Sequence, residues 1–205
     1  MAEAHGPRRR LLEAAKELTY NEGVAVGTEA ILREASVARN SLYQHFGGKA
    51  GLIAAVLRES ADDDIHRYRE KLAAGGDDPR RRILAVLAWL EEVTDRPAFR
   101  GCRYASAELA LPAADHPAHA VIHAYASQLH GLFEEELATL GHPDPPQAAT
   151  QIVTIIHGAL ATALLQPETQ PVCALRPVIE QILSTPSRRI RRTSPSDAKQ
   201  RAENE

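Results

Sequence analysis

Apolar residues recur at intervals of three and four along most of the chain, and the strict alternation typical of β-strands is almost missing. Segments with this helical period end at glycine or proline, the residues that stop helices most readily. The first such segment covers residues 7–23, where a proline marks the start and a glycine marks the end. The pattern predicts an all-α protein.

Nine helices are predicted, and each ends where the helical period is interrupted. The second and third helices are separated only by Ser36 and Val37. Residues 147–165 are apolar on nearly all sides, which favours burial at a contact between two subunits. The polar segment 188–205 is predicted to be disordered. The predicted helices cover residues 7–23, 28–35, 38–46, 49–73, 80–93, 106–111, 117–140, 147–165 and 173–183.

Cysteine content and hydropathy exclude several classes of protein. Cys102 and Cys173 are the two cysteines and lie far apart, which excludes a disulfide scaffold and a cysteine zinc finger and suits a reducing cytosol. The longest apolar runs are far shorter than the roughly 20 residues that span a bilayer. No apolar stretch follows the arginines near the N-terminus, as a secretory signal requires. We expect a cytoplasmic protein with no membrane partner.

Motifs for catalysis are also missing. The sequence has no glycine-rich phosphate loop, no nucleophile elbow and no His-Glu-x-x-His motif. Its acidic clusters at residues 62–64 and 134–136 are consecutive, so their carboxylates spread around a helix instead of converging. We therefore expect no enzyme activity, no cofactor and no metal.

The net charge of −3 is unevenly distributed. Residues 61–187 carry 10 basic and 17 acidic residues, whereas residues 1–60 carry 8 basic and 7 acidic ones. A surface for nucleic acid near the N-terminus is compatible with this distribution, provided that it is local.

The three helices predicted before residue 47 have the layout of a helix-turn-helix. In the third helix, Leu42 and Phe46 are four residues apart and define an inner face. The opposite face carries side chains that can bind base edges: arginine pairs with guanine, and asparagine or glutamine pairs with adenine. Lys49 begins the next helix, where its charge favours a phosphate. The residues on or beside this outer face are Arg39, Asn40, Tyr43, Gln44 and His45.

At these positions the sequence resembles the TetR family of transcriptional regulators. The resemblance covers about residues 8–60 and rests on the string Leu42-Tyr43-x-His45-Phe46-x-x-Lys49-x-x-Leu52, which follows Ile31-x-x-x-Ala35. It implies a homodimer that binds a pseudo-palindromic DNA operator, usually as a repressor, and is released by a small-molecule effector. The DNA-contacting candidates that it implies are Thr28, Arg39, Asn40, Ser41, Tyr43, Gln44, His45 and Lys49.

Three departures from the family pattern affect the turn and the outer face of the third helix. Ser36 stands where glycine is usual, so the turn would force a non-glycine residue into a left-handed backbone. Ala38 replaces a serine and removes a side-chain helix cap, a loss of roughly 0.5–2 kcal/mol. Asn40 replaces glycine and adds a polar group, so base preference cannot be taken from relatives.

This interpretation divides the chain into a DNA-binding domain, residues 1–48, and an effector-binding and dimerisation domain, residues 49–187. We expect two copies to pair through residues 147–165 and 173–183. The helix from Lys49 would connect the two domains as a lever. An apolar effector pocket is expected among residues 80–165, with Trp89, Phe99, Cys102, Tyr104, Tyr125 and Phe133 as lining residues.

Three alternatives stay open. The outer face of the third helix could be merely solvated, as in a helical interaction module without a ligand. A stripe of His116, His119, His123 and His130 could bind a metal, since His119 and His123 are four residues apart. It could also be a polar wall of the effector pocket or a solvated flank. Cys102, between Arg100 and Arg103, could be a redox sensor or a buried inert thiol.

Overall fold

The computed structural model describes residues 6–111 and 113–185. Within these residues the protein has nine α-helices, one 3₁₀ turn at Pro167–Thr169 and no strand, which confirms the all-α prediction. The helices are α1 (Pro7–Glu22), α2 (Thr28–Ala35), α3 (Arg39–Phe46), α4 (Lys49–Ala74), α5 (Pro79–Thr94), α6 (Arg103–Ala110), α7 (Ala118–Leu140), α8 (Pro145–Leu165) and α9 (Pro171–Leu183). The predicted disordered segment 188–205 lies outside the described residues.

Side-chain caps explain where α5 and α8 begin. Helix α5 begins at a proline behind Asp78, whose carboxylate accepts a hydrogen bond from the Arg80 N–H. Asp144 caps α8 in the same way through the Gln147 N–H, so α8 begins two residues before the predicted start. Helix α6 begins at Arg103, three residues before the predicted start at 106. Cys102 precedes it without a side-chain cap, so the sequence carries no start signal there.

The buried side chains form two hydrophobic clusters. The N-terminal cluster joins α1, α2 and α3 to the first turns of α4, and Leu52 and Val56 of α4 belong to it. The second cluster joins the rest of α4 to α5–α9. Helix α4 therefore contributes to both clusters, as a lever between two domains requires. The boundary at residues 48 and 49 stays a prediction.

Helix α8 is the one described helix that is long and apolar enough to cross a membrane, judged by length and composition alone. Ile152 and Ile156 on its inner face are completely buried in the second cluster. One side of the helix therefore belongs to the hydrophobic core.

An ion pair between α5 and α7 supplies a test of this packing. The Glu136 carboxylate lies 2.9 Å from an Arg82 guanidinium nitrogen and is 9 % exposed, and burial raises its pKa. Because Arg82 Nε already lacks a hydrogen-bond partner among the described residues, Glu136→Ala leaves the guanidinium without its ion pair. We expect the free energy of unfolding in urea to fall by about 1–3 kcal/mol. The exposed neighbour is the control: Glu135→Ala should change it by less than about 0.5 kcal/mol. If both variants lose the same free energy of unfolding, the ion pair does not stabilise the packing of α5 on α7.

Candidate nucleic-acid interface and ligand cavity

The turn between α2 and α3 fixes the angle between these helices. Ser36 adopts a left-handed backbone (φ 51°, ψ 49°), as expected, at a cost of roughly 1–2 kcal/mol relative to glycine. The N–H of Ser36 donates to the Arg33 carbonyl at 3.1 Å, and the N–H of Val37 donates to the Leu32 carbonyl at 3.1 Å. Ala38 precedes α3 with no side-chain cap, also as expected. Backbone hydrogen bonds therefore close the turn without a side-chain cap on α3.

Helix α3 has the two faces that its sequence predicts. Leu42 is 1 % exposed and anchors the inner face in the N-terminal cluster, where half-buried Phe46 packs beside it. On the other side Tyr43 is 56 % exposed. The exposed residues of the outer face are Arg39, Asn40, Tyr43, Gln44 and His45, while Ser41 is half-buried. This face is open to a duplex, and its contacts with DNA stay a prediction.

An ion pair holds the first residue of the outer face. The Arg39 guanidinium contacts the Glu29 carboxylate of α2, and both side chains are largely exposed. Sequence reasoning missed this pair, although Glu29 lies in the first turn of α2, where an acidic residue is favourable. Because the pair is exposed, little energy opposes its exchange for a guanine edge.

Basic side chains surround α3. Lys49 begins α4 and is half-buried, which lowers its pKa. Thr28 is half-buried at the start of α2. From α1, the Arg8 guanidinium lies 5.4 Å from the centre of the Phe46 ring, and Arg10 donates to the Ser36 carbonyl at 3.3 Å. These arginines therefore support the helix-turn-helix and also add positive charge beside it.

A cavity of about 560 Å³ lies between α1, α4, α5, α6, α7, α8 and the loop before α6. Five of the six predicted lining residues border it: Trp89, Phe99, Cys102, Tyr104 and Tyr125. Phe133 does not border it. Its ring packs behind Tyr68, with the ring centres 6.4 Å apart, and is 1 % exposed.

Asp64 of α4 organises one wall of the cavity. Its carboxylate accepts a hydrogen bond from the Tyr104 hydroxyl at 2.7 Å and lies 3.6 Å from Arg103 Nε and 3.7 Å from an Arg67 nitrogen. The Tyr104 ring stacks on Tyr125, with centres 3.7 Å apart. Burial raises the pKa of both tyrosines, so their hydroxyls stay protonated and can donate hydrogen bonds.

The cavity also touches α1. Tyr20 lines it, and the Tyr20 hydroxyl accepts a hydrogen bond from the Arg100 N–H at 3.1 Å. The Arg103 guanidinium lies 4.9 Å from the centre of the Tyr20 ring and donates to Ser60 Oγ of α4 at 3.1 Å. Sequence reasoning missed Tyr20, because 80 residues separate it from its hydrogen-bond donor.

The surroundings of Cys102 and of the histidine stripe bear on the two remaining alternatives. Burial raises the pKa of the Cys102 thiol, which opposes a reactive thiolate. Glu108 of α6 lies 2.9 Å from His119 Nδ1 and 3.2 Å from His123 Nε2, so this part of the stripe forms ion pairs when protonated. No group of three or more His, Cys, Asp and Glu in residues 6–111 and 113–185 is arranged to hold a metal ion. A metal site finds no support there.

The outer surface of α8 and α9 is weakly polar. Helix α8 has no charged residue, and Gly158, Ala161 and Leu165 lie on its exposed side. Leu165 is 82 % exposed, and Val178 of α9 is 46 % exposed. Exposed apolar side chains that lie close together are typical of a protein interface.

Comparison with known proteins matches both halves of the chain. Residues 11–56 match the family described as "Bacterial regulatory proteins, tetR family". Residues 90–185 match "Tetracyclin repressor-like, C-terminal domain".

Solved structures extend the match over most of the chain. A TetR-type transcriptional regulator from Streptomyces avermitilis is 34 % identical, with a TM-score of 0.76, over 87 % of this chain and 97 % of that one. A TetR-family regulator from Streptomyces coelicolor is 31 % identical, with a TM-score of 0.74, over 86 % of this chain and 94 % of that one.

Curated relatives match over a shorter region. The HTH-type transcriptional regulator TtgR from Pseudomonas putida is 37 % identical over 76 residues, which are 37 % of this chain and 34 % of that protein. The match thus spans about a third of the length of this relative.

Proposed function

The chain belongs to the TetR family of bacterial transcriptional regulators, and we propose that it acts as a homodimeric, cytoplasmic repressor that binds a pseudo-palindromic operator and is released by a small molecule. The observation that carries the proposal is the exposed outer face of α3, where Arg39, Asn40 and Gln44 stand beside the phosphate-binding candidates Tyr43 and Lys49. This set combines side chains suited to reading base edges with side chains suited to binding the phosphate backbone of DNA.

Dimer formation follows from the DNA geometry. A single α3 reads one half-site, and the few basic residues around it would give weak binding. Two subunits paired through α8 and α9 can place their α3 helices in successive major grooves, about 34–36 Å apart. The uncharged outer side of α8 supports this pairing, because closely packed helices tolerate small and apolar residues best.

The effector is proposed to act through the contacts at the cavity wall. Arg103 binds Ser60 and Asp64 of α4 and covers Tyr20 of α1, so a ligand that displaces Arg103 disturbs two helices that support α3. A ligand that binds better when the two α3 helices are splayed weakens DNA binding by the same coupling free energy.

Tyr20 provides a test of this connection that needs no ligand. Tyr20→Phe keeps the ring under Arg103 but removes the acceptor for the Arg100 N–H. We expect hydrogen exchange at the Arg100 amide to become about fivefold faster, since a hydrogen bond contributes about 1 kcal/mol. The control is Tyr43→Phe, whose hydroxyl is on the exposed face of α3. If Tyr20→Phe leaves exchange in the loop unchanged, Tyr20 does not connect α1 to the cavity.

The experiment that tests the function is selection from random duplexes at a stated salt concentration. We expect enrichment of one inverted repeat with a fixed half-site spacing, bound by two subunits. Recovery of duplexes without a shared sequence would instead favour a helical interaction module and would overturn the proposed function.

A further inference from the structure

Aromatic residues are concentrated around the cavity. The chain has nine aromatic residues, namely five tyrosines, three phenylalanines and one tryptophan. Six of the nine line this cavity: Tyr20, Tyr68, Trp89, Phe99, Tyr104 and Tyr125. The Tyr68 and Trp89 rings meet edge to face, with centres 5.1 Å apart. The faces and edges of these rings that border the cavity are surfaces on which a further flat ring can pack, so the walls suit an aromatic ligand.

Charge at the cavity is mainly positive. Four basic residues line it, Arg67, Lys71, Arg96 and Arg103, against two acidic residues, Asp64 and Glu70. Asp64 is already bound by Tyr104, Arg103 and Arg67, and Glu70 lies 3.3 Å from His66. Cations therefore already offset the charge of Asp64, whereas Glu70 is exposed to solvent, which weakens its attraction for a cationic ligand.

Two of the cations have no competing anion. In the part of the chain that the structure describes, no hydrogen bond or ion pair joins the side chain of Lys71 or Arg96 to another residue. Lys71 is half-buried and Arg96 is exposed, so they lie at the rim, whereas Tyr68 and Tyr125 are 5 % exposed and lie inside. An interior lined by aromatic rings, with free positive charge at its rim, selects an amphipathic anion.

We propose that the cavity binds a planar aromatic molecule with one anionic group, such as a carboxylate, sulfonate or phenolate, whose rings lie against Tyr68, Trp89 and Tyr125 and whose anion lies between Lys71 and Arg96. The inference rests on the proposed function, because it names the chemical class of the effector. The volume of about 560 Å³ fits two or three fused or linked rings.

A pair of probes that differ only in charge tests this class. 1-Anilinonaphthalene-8-sulfonate and N-phenyl-1-naphthylamine share their rings, and only the first carries a sulfonate. Trp89 is the one tryptophan of the chain and lines the cavity, so quenching of its fluorescence reports a probe inside. In the absence of DNA, we expect the sulfonate to bind at least about tenfold more tightly than the neutral probe. Added salt should reduce this ratio.

Substitution of the two cations at the rim tests whether they cause the difference in affinity between the probes. Lys71→Gln combined with Arg96→Gln should lower the affinity for the sulfonate about tenfold and change the affinity for the neutral probe by no more than about twofold. Arg69→Gln is the matched control, since Arg69 is exposed on α4 and does not line the cavity. An equal effect of Arg69→Gln would overturn the assignment to Lys71 and Arg96.

Other outcomes overturn the ligand class. Equal affinity for the two probes, no quenching of Trp89 by either, or tighter binding of the planar cation berberine would each contradict an anionic aromatic effector. These measurements contain no DNA, so they are independent of the duplex selection: a protein without an operator would refute the proposed function and leave the affinity ratio intact.

Discussion

Replacing Arg39 with alanine is expected to lower operator affinity at least about 30-fold and to relax preference at one base position of each half-site. Arg39 stands at the start of α3, where a recognition helix meets base edges, and its guanidinium is exposed. A bidentate arginine–guanine contact contributes about 1–3 kcal/mol, and a dimer loses two of them. Affinities for a series of operators with single substitutions, measured at one salt concentration, would give the result.

The control for Arg39→Ala is Lys49→Ala. Lys49 lies at the start of α4, where we expect it to bind a phosphate rather than a base, so its loss should weaken all duplexes equally and reduce the salt dependence of binding. Tyr43→Ala is expected to behave in the same way. If Arg39→Ala also lowers the affinity for every duplex by the same factor, Arg39 does not read a base. Its side chain would then leave Glu29 only to bind the DNA backbone.

The faces of α3 could be predicted from the sequence because they depend on local geometry. A period of 3.6 residues places Leu42 inside and Tyr43 outside whatever the rest of the chain does. The left-handed backbone at Ser36 was expected from the family resemblance, because glycine is usual at this position. The ion pair between Arg39 and Glu29 was not, because it depends on the angle between two helices and not on the spacing within one.

The residues that line the cavity could be predicted from the sequence only in part. Aromatic residues are few, so Trp89, Tyr104 and Tyr125 could be identified as lining residues from composition and position. Phe133 has the same chemistry but lies two turns further along α7, where it packs behind Tyr68. Asp64 and Tyr20 come from helices assigned to the lever and to the DNA-binding domain. Contacts over 40 and 80 residues of sequence leave no local pattern.

Introducing arginine at Gly158 is expected to convert the dimer into a monomer. Gly158 lies on the exposed side of α8, and a Cβ added there meets no atom of the same subunit within 4 Å. The isolated subunit therefore accommodates the change, and arginine favours a helix more than glycine does. At a subunit contact the same side chain would bring a bulky charge, and its copy on the partner, into an apolar surface.

Sedimentation equilibrium at micromolar concentration should find one subunit for Gly158→Arg and two for the unmodified protein. Because linked half-sites gain affinity through effective concentration, operator binding should fall about 100-fold or more. Gly131→Arg is the matched control, since a Cβ on Gly131 of α7 also meets open space and α7 is not part of the proposed contact. It should remain a dimer that binds the operator. A Gly158→Arg protein that stays dimeric would place the subunit contact elsewhere, and the geometry that brings two α3 helices to one face of DNA would then lose its basis in α8.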